Sequence, residues 1–582
     1  MDEACSKMTS IATAKISKGL FCRVAVALVL LILLLGTLAG WMIPTKVPSV
    51  VGRLSYGREL LARYPTQNFT MPVDHFHNIS RYEPHTNATF QQHYWLDISN
   101  YVPGGPVIIH AMGEDNPNYD LEWLQKGILH DIANATGGVA VLWGQRYYPG
   151  GYDIVPDHRW TRDNLRFHST EQALADLAYF AQRATFPGLE DRDLTAPGTP
   201  WIILGGSYGG VISAFTRIQY PGLFWGGLSS SGVTTGILDH WRFFDIIRRH
   251  APPECVQAQQ QVTNLMDNVY ESGNETALSR LKAAFNVSQS STYPDLAFLL
   301  TSPFSAWNQA WHREPFPFTG PGSYCDLLTS ETSQYPTTET LRTTARALLT
   351  YANKTATPDP TTLYYPLLNL FSHARHSFTF CAGRAVHECL SLARPAPFGW
   401  LGCTEGGGFA TGYTSGTAGH PHALPLVSHT LSPAYFLDRC RRTYNTTEDE
   451  PRLDRLNRYG GVNLSYPRLA LSTGELDFYR GLGPLAEFLE NGDPNPRLLV
   501  GGSDKQSHDD NNDNSDDGSS SSLSGDAAPE IVIEGGFHEW DFPGLFPNET
   551  DIAMPQAVKR AKAREVEAVM AWLREWNATR GM

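Results

Sequence analysis

The stretch that most limits how this chain folds is IILGGSYGG, from Ile202 to Gly210. Its first half is the branched apolar run of a buried strand, and the residues up to Tyr220 continue with helical spacing. Glycines stand on both sides of Ser207, which indicates a turn where backbone segments approach closely. A buried strand that turns directly into a helix predicts a parallel sheet covered by helices.

Further apolar runs repeat this alternation of strand and helix. We predict strands within residues 106–114, 137–148, 200–206, 224–232, 468–479, 497–502 and 530–542, and helices at 169–184, 210–220 and 557–576. Between about His240 and Arg458 the chain is instead rich in Thr, Pro, Gln and Ala, with helical patches. The sequence therefore predicts an α/β core in two parts, 60–239 and 459–582, and a mostly helical cap, 240–458, inserted between core strands.

The residues around Ser207 also fit a chemical motif. Gly205 to Gly209 matches Gly-X-Ser-X-Gly, the nucleophile elbow that exposes a serine hydroxyl at the carboxyl edge of an α/β-hydrolase sheet. The dipole of the following helix and the backbone N–H of Tyr208 are placed to stabilise an oxyanion. Gly113, in a glycine turn after an earlier strand, is the candidate for the second N–H. The alternative is a glycine turn with no chemical role.

A serine nucleophile needs a base, and the base needs an acid that orients it. In this fold the acid and the histidine follow late strands, in the chain order Ser, Asp or Glu, His. Asp477 comes just past a late apolar run, with Glu475 as its competitor. His538 follows the last apolar run on a glycine turn, whereas His508 lies in an aspartate-rich tract. We predict Ser207 as nucleophile, Asp477 as orienting acid, and His538 as general base and then general acid.

The N-terminal region has the pattern of a membrane segment. Residues 24–43 form an uncharged apolar run long enough to span a bilayer as a helix. Four basic residues precede the run, and this bias predicts a cytoplasmic tail, 1–23, ahead of a transmembrane signal anchor. The alternative is a cleaved signal peptide, because small residues near the end of the run suit cleavage. The rest of the chain is then lumenal or extracellular, either anchored to the lipid bilayer or secreted.

Glycosylation and cysteine patterns agree with that location. Eleven Asn-X-Ser/Thr sequons begin at Asn68, Asn78, Asn87, Asn134, Asn274, Asn286, Asn353, Asn445, Asn463, Asn548 and Asn577. Six cysteines follow the apolar run, at Cys255, Cys325, Cys381, Cys389, Cys403 and Cys440. In an oxidising compartment they predict three disulfides, with free thiols as the alternative. None of their spacings is typical of a zinc site, and we expect no metal and no cofactor.

The charge is concentrated in one tract. The formal net charge is −14, and seven aspartates and one lysine fall within residues 503–526. This tract is too polar to pack, and we predict a disordered acidic loop between the last two strands. No basic stripe stands out elsewhere, which argues against nucleic acid as a partner.

Longer stretches resemble one enzyme family. GGSYGGVISAFTRIQYPGLFWGGLSSSG is similar to the elbow region of the prolyl carboxypeptidase and dipeptidyl peptidase II family of serine exopeptidases. The stretches VDHF, GGPVIIHAMGE, RYYPGG, TEQALADLAYF, CTEGGGF, GELDFYRG and GGFHEWDF match family landmarks in the same order. The chain departs from the family at GQRYYP, at FGWLG and at Phe478, which follows the acid. The resemblance spans about Pro65 to the C-terminus.

The resemblance implies a fold and an activity. It implies an α/β-hydrolase core with a helical cap, the triad Ser207, Asp477 and His538, and hydrolysis of peptide substrates at proline bonds from either chain end. It also implies a disulfide between Cys403 and Cys440. Cys381 and Cys389 are candidates for a second bridge, which leaves Cys255 with Cys325. The oligomeric state stays open, with a homodimer as one option.

Two other functions are compatible with the elbow motif. One is an esterase or lipase of the same fold, and the family landmarks outside the elbow argue against it. The other is a non-catalytic, membrane-anchored adhesion protein, which would be free to lose members of the triad. All three triad residues are present, which favours an enzyme.

Overall fold

An eight-stranded sheet forms the centre of the structure. The computed structural model describes residues 59–149, 151, 154–155, 159–312, 318–319, 322–353, 357–393, 396–413, 424–500 and 528–581. The strands are β1 Gln67–Pro72, β2 Thr89–Asp97, β3 Val107–Ala111, β4 Val139–Trp143, β5 Trp201–Gly206, β6 Phe224–Ser230, β7 Leu469–Gly474 and β8 Glu530–Ile533. Their order is β1-β2-β4-β3-β5-β6-β7-β8. Residues Leu61–Met582 form one compact unit, and Met1–Leu60 is a second, of which the structure describes only residues 59 and 60.

The sheet is parallel over most of its width. Strand β1 pairs with β2, and β2 with β4, in antiparallel register, whereas all pairs from β4 to β8 are parallel. Every residue of β3, β4, β5 and β7 is buried. Continuous burial of parallel strands is typical of a sheet covered on both faces. Six of the seven predicted strand ranges contain a strand, as the alternating apolar runs indicate.

Helices between the strands cover this sheet. They are α1 Ile128–Thr136, α2 Arg162–Leu165, α3 Thr170–Ala181, α4 Ser207–Gln219 and, at the end of the chain, α17 Gln556–Arg580. Helix α3 starts where the sequence predicts it, because Ser169 caps it by accepting a hydrogen bond from the Gln172 N–H at 3.3 Å. Helix α4 follows β5 without an intervening loop.

A helical insertion separates β6 from β7. Its helices are α5 Arg242–His250, α6 Pro253–Glu271, α7 Glu275–Ala284, α8 Tyr293–Leu299, α9 Tyr324–Thr329, α10 Glu339–Leu348, α11 Tyr364–Ser377, α12 Val386–Ala393, α13 Ala396–Leu401, α14 Pro433–Tyr444 and α15 Asp454–Asn457. Most of the insertion has an apolar cluster of its own, which includes Leu265 and Phe371. Trp400 and Tyr444 instead pack into the cluster beneath the sheet. The division at 239/240 and 458/459 itself stays a prediction.

Three disulfides cross-link the insertion. Cys255 is joined to Cys325, Cys381 to Cys389, and Cys403 to Cys440, with Cα–Cα distances of 5.1, 5.3 and 5.5 Å. The Cys403–Cys440 bridge is the one that the family resemblance implies, and the other two are the candidate pairs of the sequence analysis, so all three predicted pairs are confirmed. The second bridge closes a short loop, whereas the first joins α6 to α9 across 70 residues.

One predicted strand is wrong. Residues 497–502 were expected to extend the sheet, but Pro496–Val500 forms helix α16. The local sequence explains the difference, because the Asn495 side chain accepts a hydrogen bond from the Arg497 N–H at 3.2 Å. Asparagine before proline is a common start of a helix, since Asn caps the first N–H groups and Pro suits the first turn.

Several sequence predictions fall on the termini and the acidic tract. The predicted tail (1–23), the predicted anchor (24–43) and the acidic loop (503–526) lie outside the described residues. Among the residues that are described, no helix is both long enough and apolar enough to cross a membrane. Ten of the eleven sequon asparagines are exposed, and Asn286 is half-buried.

Candidate active site

Ser207 occupies a strained position at the carboxyl end of β5. Its backbone has φ of +51°, in the left-handed region that residues with a side chain rarely adopt. Between Trp201 and Gly210 it is the one residue that is not buried. Strain of this kind is concentrated at functional sites, where the surrounding structure maintains it.

The neighbouring glycines are required by close backbone contacts. A Cβ on Gly205 would overlap the carbonyl of Gly209, and a Cβ on Gly209 would overlap the carbonyl of Ala111 in β3. Glycine is the residue that permits such an approach. The two glycines therefore allow β5 to turn into α4 within one residue, which leaves the Ser207 side chain at the sheet edge.

Two backbone N–H groups lie near the start of α4. Tyr208 is the second residue of this helix, where backbone N–H groups have no partner within the helix. Gly113 lies in the loop after β3, and a Cβ built on it would be 3.6 Å from the Gly209 nitrogen. The loop after β3 thus passes directly beside the elbow. An oxyanion hole formed by the residue after the nucleophile and by a second loop requires this proximity.

The predicted acid and base form a hydrogen-bonded pair. His538 Nδ1 lies 2.8 Å from Asp477 Oδ2, and the His538 side chain is only 7% exposed. Asp477 follows β7 and His538 follows β8, so both lie at the same sheet edge as Ser207. Asp477 is fixed further by the Tyr479 N–H at 2.8 Å and the Thr473 hydroxyl at 3.3 Å.

The charges of this pair support each other. Burial would raise the pKa of Asp477, but the positive charge of His538 and the hydrogen bonds that Asp477 accepts hold that pKa below its ordinary value. Burial likewise favours neutral His538, but the Asp477 charge outweighs it and raises the pKa of His538 to about 9. Asp477 is therefore ionised, and the Nδ1–H of His538 donates to it. Nε2 is the nitrogen that remains for proton transfer.

The competing acid, Glu475, contacts a different group. The carboxylate of Glu475 accepts a hydrogen bond from the Gly535 N–H at 2.9 Å, which ties the loop after β7 to the turn after β8. His508 lies outside the described residues. Of the two carboxylates considered after β7, Asp477 is the one that contacts His538.

The segments that carry Ser207 and His538 meet through their neighbours. A Cβ on Gly206 would overlap the side chain of Glu539, so the residue before Ser207 lies against the residue after His538. The Glu539 N–H donates to the Ser231 hydroxyl at 3.1 Å. Burial, and then the charge of Glu114, favour the neutral acid, and the pKa of Glu539 is raised to about 7 although His538 opposes the shift.

Sequence reasoning missed Glu539 and Ser231. Both have positive φ, 58° for Glu539 and 50° for Ser231. Glu539 directly follows His538, and the Ser231 hydroxyl accepts a hydrogen bond from the Glu539 N–H. The signal for Glu539 was its place directly after His538, where it is one of two acidic residues in GGFHEWDF. For Ser231 the signal was the run of three serines at the end of β6, the strand between β5 and β7.

The insertion contacts the two loops that carry Asp477 and His538. The Trp307 indole N–H donates to the Leu476 carbonyl at 2.9 Å, and its ring packs 5.3 Å from that of Phe537. The Trp311 indole N–H donates to the Trp540 carbonyl at 2.9 Å. The short segment that carries Trp307 and Trp311 therefore contacts the residue before Asp477 and residues on both sides of His538.

A buried pair of carboxyl groups lies close to the His538 loop. Asp541 accepts hydrogen bonds of 2.6 Å from the hydroxyls of Ser230 and Ser472. Glu565 of α17 is fully buried, and its carboxyl group interacts with the carboxyl group of Asp541 and the hydroxyl of Ser472. Burial, and then the charge of Asp541, raise the pKa of Glu565 well above its ordinary value, although the Lys562 ammonium opposes the shift. Glu565 therefore retains its proton at pH values at which an exposed glutamate is ionised.

We expect the free energy of unfolding to fall as pH rises above about 4.3, the ordinary pKa of glutamate. The stabilising contribution of Glu565 is fully present below that value, and it is lost as pH rises through the raised pKa of the folded state. Glu565→Gln keeps a neutral group there and should flatten this dependence. Urea unfolding between pH 4 and pH 8 measures it, and the same pH slope in both proteins would contradict the assignment.

A serine at a nucleophile elbow and an Asp–His pair at the same sheet edge define the class of serine hydrolases with an α/β fold. The family description that matches this chain is "Serine carboxypeptidase S28", over residues 72–512. The chain belongs to this family, and it is a serine peptidase. Ser207 and Asp477 lie within the matched residues, and His538 lies beyond them.

Curated relatives agree with the family. A "Probable extracellular serine carboxypeptidase" of Arthroderma benhamiae is 33% identical over 537 residues, which cover 89% of this chain and 69% of that protein. The "Serine protease vicPa" of Bipolaris victoriae is 24% identical and covers 73% of this chain and 82% of that one. A "Lysosomal Pro-X carboxypeptidase" of Mus musculus is 29% identical over 226 residues, or 36% of this chain and 42% of that protein.

Solved structures show only a distant likeness. An esterase of Pyrobaculum calidifontis is 9% identical, and the match covers 91% of this chain and 95% of that one with a TM-score of 0.30. We draw no conclusion about fold or activity from a likeness at this level.

Proposed function

We propose that this peptidase is an exopeptidase that hydrolyses peptides at proline bonds, with Ser207, Asp477 and His538 as its catalytic triad. The observation that carries the proposal is the Asp477–His538 hydrogen bond at the sheet edge where Ser207 stands at the elbow. The relatives named for Pro-X carboxypeptidase activity support the proline preference.

The mechanism follows from these positions. Ser207 Oγ attacks the scissile carbonyl while its proton passes to His538 Nε2, and the backbone N–H groups of Tyr208 and Gly113 stabilise the oxyanion. His538 then gives that proton to the leaving amine, and the acyl group remains as an ester on Ser207. Water attacks this ester as His538 takes its proton, and return of that proton to Ser207 Oγ releases the acid. Asp477 holds the imidazole in the required tautomer throughout.

The core, the insertion and the N-terminal run have roles that fit this activity. We infer that residues 60–239 and 459–582 form an α/β-hydrolase core and that residues 240–458 form a cap that limits which peptides reach Ser207. The apolar run at 24–43 acts as an anchor, or as a cleaved signal peptide in a secreted form. Exposed sequons, three disulfides and the extracellular and lysosomal relatives support a lumenal or extracellular catalytic part.

Two matched peptides test the activity. One has an acetylated N-terminus and ends in Pro-Phe with a free carboxylate, and the other begins Ala-Pro with a free amine and ends in an amide. Release of Phe from the first indicates a carboxypeptidase, and release of Ala-Pro from the second indicates a dipeptidyl peptidase. Hydrolysis of short-chain esters without cleavage of either peptide would support an esterase instead. No turnover of any of these substrates would contradict the proposal.

We expect kcat/KM to rise with pH through a limb near pH 9, because Ser207 is activated by neutral His538 and the pKa of His538 is about 9. The negative charge of Glu539 contributes to that raised pKa. Glu539→Gln should therefore lower the pKa of His538 and move the limb to lower pH. Glu534→Gln is the matched control, since Glu534 is an exposed residue at the start of the same loop after β8. Identical limbs in Glu539→Gln and wild type would rule out this coupling.

A further inference from the structure

Three side chains with metal-binding atoms meet in the segment between β1 and β2. One ligand atom from each of Asp74, His77 and His85 lies within 4.8 Å of the other two. Asp74 is 2% exposed, His85 is partly buried and His77 is exposed. In the described part of the chain this is the one such group of three. The cluster therefore has a fixed, buried side and a side open to solvent.

The carboxylate of Asp74 is held in a single orientation. Its Oδ1 accepts hydrogen bonds from the Phe76 N–H at 2.9 Å and from the Gln172 side-chain amide at 3.0 Å. The second oxygen of Asp74, Oδ2, faces His85. Hydrogen bonds of this kind orient ligands in known metal sites.

The two histidines present their rings side by side. The ring centroids of His77 and His85 are 5.5 Å apart with an interplanar angle of 28°, and His85 Nδ1 lies 2.8 Å from Asp74 Oδ2. His75, which is nearer to Asp74 in sequence, pairs with Asp176 at 2.7 Å instead. Two imidazoles and one carboxylate are therefore available, and His75 is not among them.

We propose that Asp74, His77 and His85 bind one Zn²⁺ ion, with water at the fourth position. Two imidazole nitrogens and one carboxylate oxygen match the ligands that zinc takes in tetrahedral sites, whereas Ca²⁺ and Mg²⁺ prefer oxygen ligands alone. The ion takes the place of the proton between His85 Nδ1 and Asp74 Oδ2, and the neutral imidazole of His85 then carries its proton on Nε2. The three ligand atoms lie within 4.8 Å of one another, so binding requires the two rings to rotate closer to the ion.

Zinc at this site would hold together the segment between β1 and β2, which contacts α3 and the insertion. Asp74 is hydrogen-bonded to Gln172 in α3, and the same segment carries Arg81, whose guanidinium donates to Glu405 at 3.0 Å. Glu405 also accepts the Thr170 N–H at 3.0 Å. The ion therefore has a structural role in this account, and no catalytic step depends on it.

Metal titration of the full glycosylated chain tests the proposal. After removal of metal with a chelator, we expect saturable binding of Zn²⁺ near one per chain at pH 7 and a rise in Tm with Zn²⁺. Co²⁺ should bind in place of Zn²⁺ and show visible absorption. Ca²⁺ and Mg²⁺ at the same concentrations should leave Tm unchanged.

Matched variants locate the ion. His77→Ala should lower the Zn²⁺ affinity at least tenfold and remove the rise in Tm, and because His77 is exposed the variant should fold. His85→Ala is the second variant and should have the same effect. His376→Ala, at an exposed histidine of α11, should bind Zn²⁺ as the wild type does. Absence of saturable binding in the wild type, or equal affinities in His77→Ala and His376→Ala, would overturn the proposal.

Discussion

Ser207→Ala is expected to lower kcat by about six orders of magnitude, the effect of removing the nucleophile from a comparable triad. The Ser207 hydroxyl is the group that forms the acyl-enzyme. Ser207 directly follows β5, has φ of +51° and is not fully buried. Residual activity should come only from oxyanion stabilisation and substrate binding. Single-turnover and steady-state assays on a proline-containing peptide measure this loss.

Ser213→Ala is a control within the same helix. Ser213 lies in α4 and donates a 2.6 Å hydrogen bond to the Leu228 carbonyl, with no place at the elbow. We expect it to change kcat by less than about tenfold, with any loss expressed as lower stability. A Ser207→Ala protein with activity near that of Ser213→Ala would show that Ser207 is not the nucleophile.

Asp477→Asn is expected to lower kcat by about four orders of magnitude while the fold is kept. The amide nitrogen of Asn would donate to His538 Nδ1, which reverses the present 2.8 Å hydrogen bond. Neutral His538 would then carry its proton on Nε2 and could not accept the proton of Ser207. The loss of the Asp477 charge also lowers the pKa of His538, which moves the pH limb to lower values.

Glu475→Gln is the matched control for Asp477→Asn. Glu475 lies two residues away and contacts the Gly535 N–H rather than His538. We expect kcat within about tenfold of wild type and an unchanged pH limb. If Glu475→Gln produced the larger loss of kcat, the assignment of the orienting acid would have to be reversed.

The parts of the fold that sequence predicts well are those with both faces buried. Strands β3, β5 and β7 read as continuous apolar runs next to glycine turns, and the structure has them within the predicted ranges. Strands β1 and β2 were not predicted, because both mix exposed polar residues with buried ones and neither reads as a continuous apolar run, as in QNFTMP. Strand β1 lies at the edge and pairs with β2, and β2 pairs with β4 through contacts that sequence does not display.

In the candidate site, too, some residues follow from local sequence and others depend on the three-dimensional structure. The elbow around Ser207 is a local motif, and His538 was selected over His508 because it directly follows the last apolar run, whereas His508 lies in the aspartate-rich tract. The choice between Asp477 and Glu475 depended on which carboxylate reaches the imidazole, a distance fixed by the turn after β7. The contact of Glu539 with Gly206 joins residues more than 300 positions apart, so no local pattern could predict it.

Covalent labelling of the nucleophile tests the central claim most directly. A fluorophosphonate reacts with the activated serine of a serine hydrolase, and peptide mass spectrometry identifies the labelled residue. The account predicts one adduct per chain, on the peptide that contains Ser207, with loss of peptidase activity in proportion to labelling. It also predicts no adduct in His538→Ala, because Ser207 would lack its base. An adduct on another serine such as Ser231, or full peptidase activity in a protein labelled at Ser207, would contradict the account.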